Sequence, residues 1–178
     1  MSDFKRLHVK ALVEANWEAP DWQLLEKTKE GEWLLERHSM TERLKACCRT
    51  LTVEVLGLHD VEREVLSDSE RQLLGDQACL VREVVLFGDD VPWLCARTLV
   101  PMSTLTEQEQ DIADLGAVPL GQRVFNQANA RRDAIEVAHL TFDGQVLLAR
   151  RSRLWVNDKP MLVSELFLPH APIYQEEG

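Results

Sequence analysis

The sequence predicts an α+β fold: one domain in which an antiparallel sheet of about six strands is covered on one side by helices. Three observations lead there. Six segments rich in β-branched and aromatic residues alternate with turn signals. Consecutive strands joined by tight turns must pair antiparallel, because a parallel partner needs a long crossover. Helical patterns cluster early and in the middle of the chain instead of alternating with the strands. A chain of 178 residues that is 45% hydrophobic fills a single core, and no repeat, low-complexity block or linker divides it. Residues 1–178 therefore read as one domain, with a variable lead over residues 1–20 and an acidic tail over residues 175–178, and a monomer is expected.

In chain order, Trp22, Leu25, Trp33 and Leu34 recur at roughly helical spacing over residues 21–37, although Gly31 weakens that helix. Ser39 followed by Glu42 forms a capping-box pattern, so a short helix starts near Met40 and runs to about Cys48. Strands follow at TLTVEVLGL from Thr50, CLVREVVLF from Cys79 and PWLCARTLV from Pro92, the last two joined by the turn Gly88-Asp89-Asp90-Val91. Thr106 with Glu109 makes a second capping-box pattern for a helix that ends at Gly116. A further helix begins around Pro119, which suits a first turn. The chain closes with strands over residues 133–142, 145–156 and 160–168, turning at Asp143-Gly144 and Asn157-Asp158.

Charge and composition exclude several classes of function. Lys and Arg total 20 against 30 Asp and Glu, and the net charge of -10 opposes binding to a nucleic-acid backbone. The longest apolar stretches, such as residues 162–168, are too short to cross a bilayer. The first residues lack the apolar run and cleavage site of a secretory signal, so a cytoplasmic location is expected. Cys47, Cys48, Cys79 and Cys95 show neither a disulfide framework nor a metal spacing and read as reduced thiols. His8, His38, His59, His139 and His170 are scattered, so no metal site is expected.

Two strand residues break an apolar pattern. Leu80, Arg82, Val84 and Leu86 share one face of their strand, which places Arg82 in an apolar row. A guanidinium there needs an anion, either an internal carboxylate or the carboxylate of a ligand. Glu165 poses the mirror problem beside Met161, Val163 and Phe167; burial would favour its neutral, proton-donating form unless a cation is close. The two residues could equally close a structural bridge with one another. The helix starts at Met40 and Leu120 offer backbone N–H groups without internal partners, which suit a carboxylate.

These residues fall within segments that, taken together, carry a resemblance: SMTERL at Ser39, LVREVVL at Leu80, RTLVPMSTL at Arg97, LGAVPLGQRVF at Leu115, RRSRL at Arg150 and SELFLP at Ser164. In order and spacing the chain resembles the bacterial chorismate lyase family from about Trp33 to Tyr174. The resemblance implies flap-like helical segments over a closed ligand cavity, and cleavage of chorismate to 4-hydroxybenzoate and pyruvate, the first committed step toward ubiquinone, without metal or organic cofactor. It implies that Arg82 holds the ring carboxylate, assisted by the N–H groups of Met40 and Leu120, and that Glu165 meets the ring hydroxyl, with Arg82 and Glu165 the catalytic pair. Which group takes the enolpyruvyl carboxylate is left open among Arg97, Arg150, Arg151 and Arg153, each of which also reads as a solvated surface residue. The alternative is a non-catalytic effector-binding domain of the same fold. Such domains follow a DNA-binding helix-turn-helix module, for which the roughly thirty residues before the resemblance are too few.

Overall fold

The computed structural model describes residues 3–175, so the end of the acidic tail, residues 176–178, lies outside the described residues. The helices are α1 (Asp3–Glu14), α2 (Trp22–Leu25), α3 (Lys29–Leu34), α4 (Met40–Lys45), α5 (Asp68–Leu74) and α6 (Leu120–Val124). The strands are β1 (Leu51–Val61), β2 (Cys79–Gly88), β3 (Val91–Pro101), β4 (Arg131–Phe142), β5 (Gln145–Val156) and β6 (Lys159–Phe167). They form one six-stranded antiparallel sheet in the order β1-β2-β3-β6-β5-β4. All three predicted turns carry positive φ at both central residues: Asp89 and Asp90 (47° and 67°), Asp143 and Gly144 (48° and 78°), Asn157 and Asp158 (50° and 59°). That geometry matches the right-handed twist of the strands it joins, so each hairpin sets its register without strain on the sheet.

One face of the sheet supports the cavity. Trp33, Leu34, Met40 and Leu44 from α3 and α4 pack on Val84, Leu86, Leu94 and Phe167. Ile112, Leu115, Leu120 and Val124 pack on Leu80, Val100, Leu154 and Met161 beside them. The opposite face is covered too: Leu12 of α1 sits with Val85, Cys95 and Leu166, and Leu74 of α5 with Val81, Leu99 and Leu162. Helices thus lie on both faces, where the sequence predicted them on one. The addition comes from α1, within the segment read as a variable lead, and α5, which went unpredicted. Helix α5 carries a complete capping box, Glu70 N to Ser67 Oγ at 3.2 Å and Ser67 N to Glu70 Oε1 at 2.8 Å.

Two predicted elements take another form. Residues 21–37 do not make one helix: Thr28 caps a new one, its hydroxyl accepting from Gly31 N at 2.9 Å. A Cβ on Gly31 would lie 1.7 Å from the Leu25 carbonyl oxygen, so glycine is what lets α3 fold back on the end of α2. Gly31→Ala is expected to cost about 1–3 kcal/mol or more through overpacking against backbone. A melting temperature lower by about 2–4 °C per kcal/mol, read by circular dichroism, checks this. Residues Glu107–Asp114 form a 3-10 helix without the predicted capping box. The Thr106 hydroxyl donates to Ser103 O at 3.0 Å, and the buried Glu109 carboxylate instead accepts from Asn157 and, at 3.0 Å, from Lys159. A charged partner at the start of β6 outcompetes a neutral local cap.

All four cysteines are free thiols. Burial pushes Cys79 up to about 11 and Cys95 up to about 12, which makes both inert near neutral pH.

Candidate active site

The four residues singled out in the sequence, Met40, Arg82, Leu120 and Glu165, line a single cavity between the sheet and the helices α4 and α6. The sheet supplies its floor by register. Arg82 pairs with Thr98, which pairs with Val163, while Val84 pairs with Ala96, which pairs with Glu165. Arg82 and Glu165 are therefore set two strands apart and two residues along, roughly 12 Å between backbones, with an apolar wall of Val84, Ala96 and Val163 between them.

The roof is made by two helix starts. In α4, Ser39 Oγ accepts from Glu42 N at 3.2 Å, which leaves the earlier N–H groups of Met40 and Thr41 without partners inside the helix. Helix α6 begins after Pro119, whose ring gives no side-chain cap, so Leu120 N–H is likewise unpaired within its helix. The two meet at Gly121, where a Cβ would stand 2.7 Å from Thr41 Oγ1 and 3.0 Å from Ser39 Oγ. Lys45 Nζ donates to Gln122 Oε1 at 2.8 Å across the same seam.

At one end Arg82 is only 4% exposed. Its Nη2 donates to the carbonyls of Gly116 and Val118, each at 3.0 Å, which ties down the loop leading into α6. Burial lowers its pKa from the usual guanidinium range. Among the described residues no carboxylate reaches ion-pair distance of Arg82, so the structural bridge to Glu165 that the sequence left open is not formed.

At the other end Glu165 has two cations of its own. Arg150, directly opposite in the β5–β6 register, donates from Nε to Glu165 Oε1 at 2.8 Å, and Arg132 Nη1 lies 3.7 Å from the same oxygen. The close cation that the sequence reading asked for beside Glu165 is thus present. Arg150 also donates from Nη1 to Glu36 O at 2.7 Å and is fully buried. Burial, with Arg150 beside it, brings Arg132 down to about 9.

The other arginines proposed from sequence do not enter the cavity. Arg97, Arg151 and Arg153 project from the opposite face of the sheet and pair with Glu70 at 2.9 Å, Glu136 at 2.6 Å and Asp133 at 2.8 Å. Nor are they solvated as the sequence suggested: Arg97, Arg150 and Arg151 are buried and Arg153 half-buried, because strands covered on both faces leave no wet side for them. Arg132, which the sequence reading passed over, does line the cavity. Strict alternation from Glu136 would turn Arg132 to the far face beside Arg151. A bulge between Asp133 and Glu136, with Ala134 at φ 52°, adds one residue and brings Arg132 opposite Leu154 on the cavity side.

Comparison with known proteins bears on what this cavity is for. A protein-family model described as chorismate lyase matches residues 11–178. The chain belongs to the chorismate lyase family. It is 51% identical over 177 residues to the probable chorismate pyruvate-lyase of Photobacterium profundum, an alignment that covers 99% of this chain and 98% of that one. The chorismate pyruvate-lyase of Pectobacterium atrosepticum is 40% identical over 148 residues, covering 83% of this chain and 81% of that one. Among solved structures, the C-terminal domain of the histidine utilization repressor from Pseudomonas syringae superposes with a TM-score of 0.51 at 15% identity, covering 72% of this chain and 97% of that one. The effector domain of PhnF from Mycobacterium smegmatis also gives 0.51 at 15% identity, over 74% of this chain and 89% of that one. At such identity these two show a shared fold alone. Within the family frame, this member is a lyase with a cavity under α4 and α6, and no described helix is long and apolar enough to cross a membrane.

Proposed function

We propose that this cavity converts chorismate to 4-hydroxybenzoate and pyruvate, with Arg82 and the N–H groups of Met40 and Leu120 holding the ring carboxylate and Glu165 receiving the ring hydroxyl. The observation that carries the reading is the placement of Arg82 and Glu165 on either side of one apolar wall. The carboxylate and the hydroxyl of the substrate sit at opposite positions of its six-membered ring, which suits one side chain at each end of the cavity. Arg82 has donors beyond the two carbonyl bonds of Nη2 and, among the described residues, no carboxylate within ion-pair distance to satisfy them. Both printed arginine contacts of Glu165 fall on Oε1, which supports Oε2 as the acceptor for the ligand hydroxyl.

The reaction needs little from the protein beyond orientation and charge. The C–O bond to the enolpyruvyl group breaks with its electron pair leaving on oxygen. A proton leaves the ring carbon that bears the hydroxyl, and its C–H pair completes the aromatic ring. The departing enol takes up a proton on carbon to become pyruvate, so no oxidant or reductant enters. A dry site that holds the reactive conformer and faces the developing oxyanion with fixed donors lowers the barrier. Glu165, held by Arg150, orients the hydroxyl as an acceptor, takes the proton that leaves the ring carbon bearing it, and gives that proton back to the carbon of the departing enol.

Incubation of the chain with chorismate, followed by ultraviolet spectroscopy and a coupled pyruvate assay, tests this. Equimolar 4-hydroxybenzoate and pyruvate are expected; chorismate that binds but persists would favour the effector-binding alternative. Among the described residues no group of three or more His, Cys, Asp and Glu side chains could hold a metal ion. Dialysis against a strong chelator is accordingly expected to leave turnover unchanged, and activity lost and then restored by zinc or magnesium would contradict a reaction run by protein groups alone. The net charge of -10 favours small-molecule chemistry over nucleic-acid binding, and we place the enzyme in the cytoplasm as a monomer.

A further inference from the structure

The Glu165 end of the cavity holds more positive charge than its own carboxylate balances. Among the described residues Glu165 is the one carboxylate within ion-pair distance of Arg132 and Arg150; the Glu36 carboxylate also acts on Arg132 from farther off, but its ion pair is with Arg43, at 3.4 Å. The two arginines are not equivalent. Arg150 gives Nε to Glu165 and Nη1 to the Glu36 carbonyl, and although its Nη2 is also buried without a partner, it does not line the cavity. Arg132 lines the cavity, its side chain 3% exposed, with the Phe125 ring 5.7 Å from its guanidinium carbon. Its Nη1 donates to Ser152 Oγ at 2.5 Å and its Nη2 to His38 O at 3.2 Å, but its Nε is buried with no partner. A buried guanidinium N–H left unpaired costs about 1–3 kcal/mol or more, a cost that a ligand oxygen would remove.

The proposed function leaves one substrate group without a receptor. Chorismate is a dianion, and the ring carboxylate on Arg82 accounts for half of its charge. The second carboxylate belongs to the enolpyruvyl group, which is attached to the ring carbon next to the one bearing the hydroxyl. With the hydroxyl on Glu165, that group must lie beside Glu165, where the cavity-lining cation is Arg132, 3.7 Å away. We propose that Arg132 is the receptor for the enolpyruvyl carboxylate and stays with this group as it leaves, stabilising the negative charge that grows on it when the C–O bond breaks. The β4 bulge that turns Arg132 to this side is then a feature of the site, as bulges beside active sites often are. The inference rests on the chorismate reading above.

The test uses the fact that 4-hydroxybenzoate lacks the second carboxylate. In Arg132→Gln, kcat/KM for chorismate is expected to fall at least tenfold, while the Kd for 4-hydroxybenzoate by calorimetry stays within about threefold, since each tenfold step is about 1.4 kcal/mol of a contact the product never makes. Arg132→Lys, which keeps the charge at the site, should recover part of the loss. Parent-like kcat/KM in both variants would overturn the assignment. So would product affinity falling in step with kcat/KM, or an Arg132→Lys chain that does not fold, because either makes Arg132 a structural support. A parent enzyme that turns over chorismate beside an unaffected Arg132→Gln variant sinks this inference alone; a parent inert toward chorismate sinks the underlying reading with it.

Discussion

Replacing Glu165 with glutamine is expected to lower the turnover of chorismate by on the order of 100-fold or more, the usual contribution of a group that handles a proton. The carboxylate is 4% exposed, lines the cavity and is held by Arg150 at 2.8 Å. Glutamine keeps the shape and one acceptor oxygen but can neither ionise nor balance the two arginines. The same contacts mean that the change also reaches stability. Breaking a buried ion pair from one side costs about 3–5 kcal/mol, so the melting temperature should fall by roughly 2–4 °C for each of those. Turnover must therefore be read at a temperature where circular dichroism shows the variant fully folded. A folded variant with parental turnover and parental product affinity would reduce Glu165 to half of a structural pair.

Replacing Arg82 with methionine removes a charge that, among the described residues, has no carboxylate within ion-pair distance. Product affinity is expected to fall on the order of 100-fold, or about 2.7 kcal/mol, because the carboxylate loses the cation that lines that end of the cavity and the loop carbonyls of Gly116 and Val118 lose their donor. Arg82→Lys keeps the charge but not the planar fork, so a smaller loss of at least tenfold, about 1.4 kcal/mol, should remain. Folding should survive both changes, since no buried carboxylate is stranded by them. Calorimetry with 4-hydroxybenzoate measures the effect. Parental affinity in Arg82→Met would place the ring carboxylate elsewhere.

How much of this was legible depended on whether the deciding contact was local. Arg82 and Glu165 stood out because β2 and β6 keep strict alternation over the stretches that carry them, so one charged residue in an apolar row is visible at once. The partner of Glu165 was also within reach. The Asn157-Asp158 turn sets Val156 opposite Lys159, and counting back along both strands sets Arg150 opposite Glu165. Arg132 was hidden by the β4 bulge, because one unpaired residue reverses the face of everything before it. The capping box assigned to Thr106 failed for a distant reason, the pull of Lys159 and Asn157 on Glu109 from about fifty positions away. Helix α5 was overlooked despite its genuine capping box, since a seven-residue helix with one buried side chain, Leu74, shows almost no periodicity.

The most direct test of the account is a crystal structure of the chain with 4-hydroxybenzoate. The predicted result is one ligand under α4 and α6, its carboxylate within hydrogen-bond distance of the Arg82 guanidinium and of the Met40 and Leu120 N–H groups, and its hydroxyl on Glu165. The space beside the hydroxyl should open toward Arg132. A ligand bound in the reverse sense, with its carboxylate on Arg132 and Arg150, or one bound outside this cavity, would contradict the account.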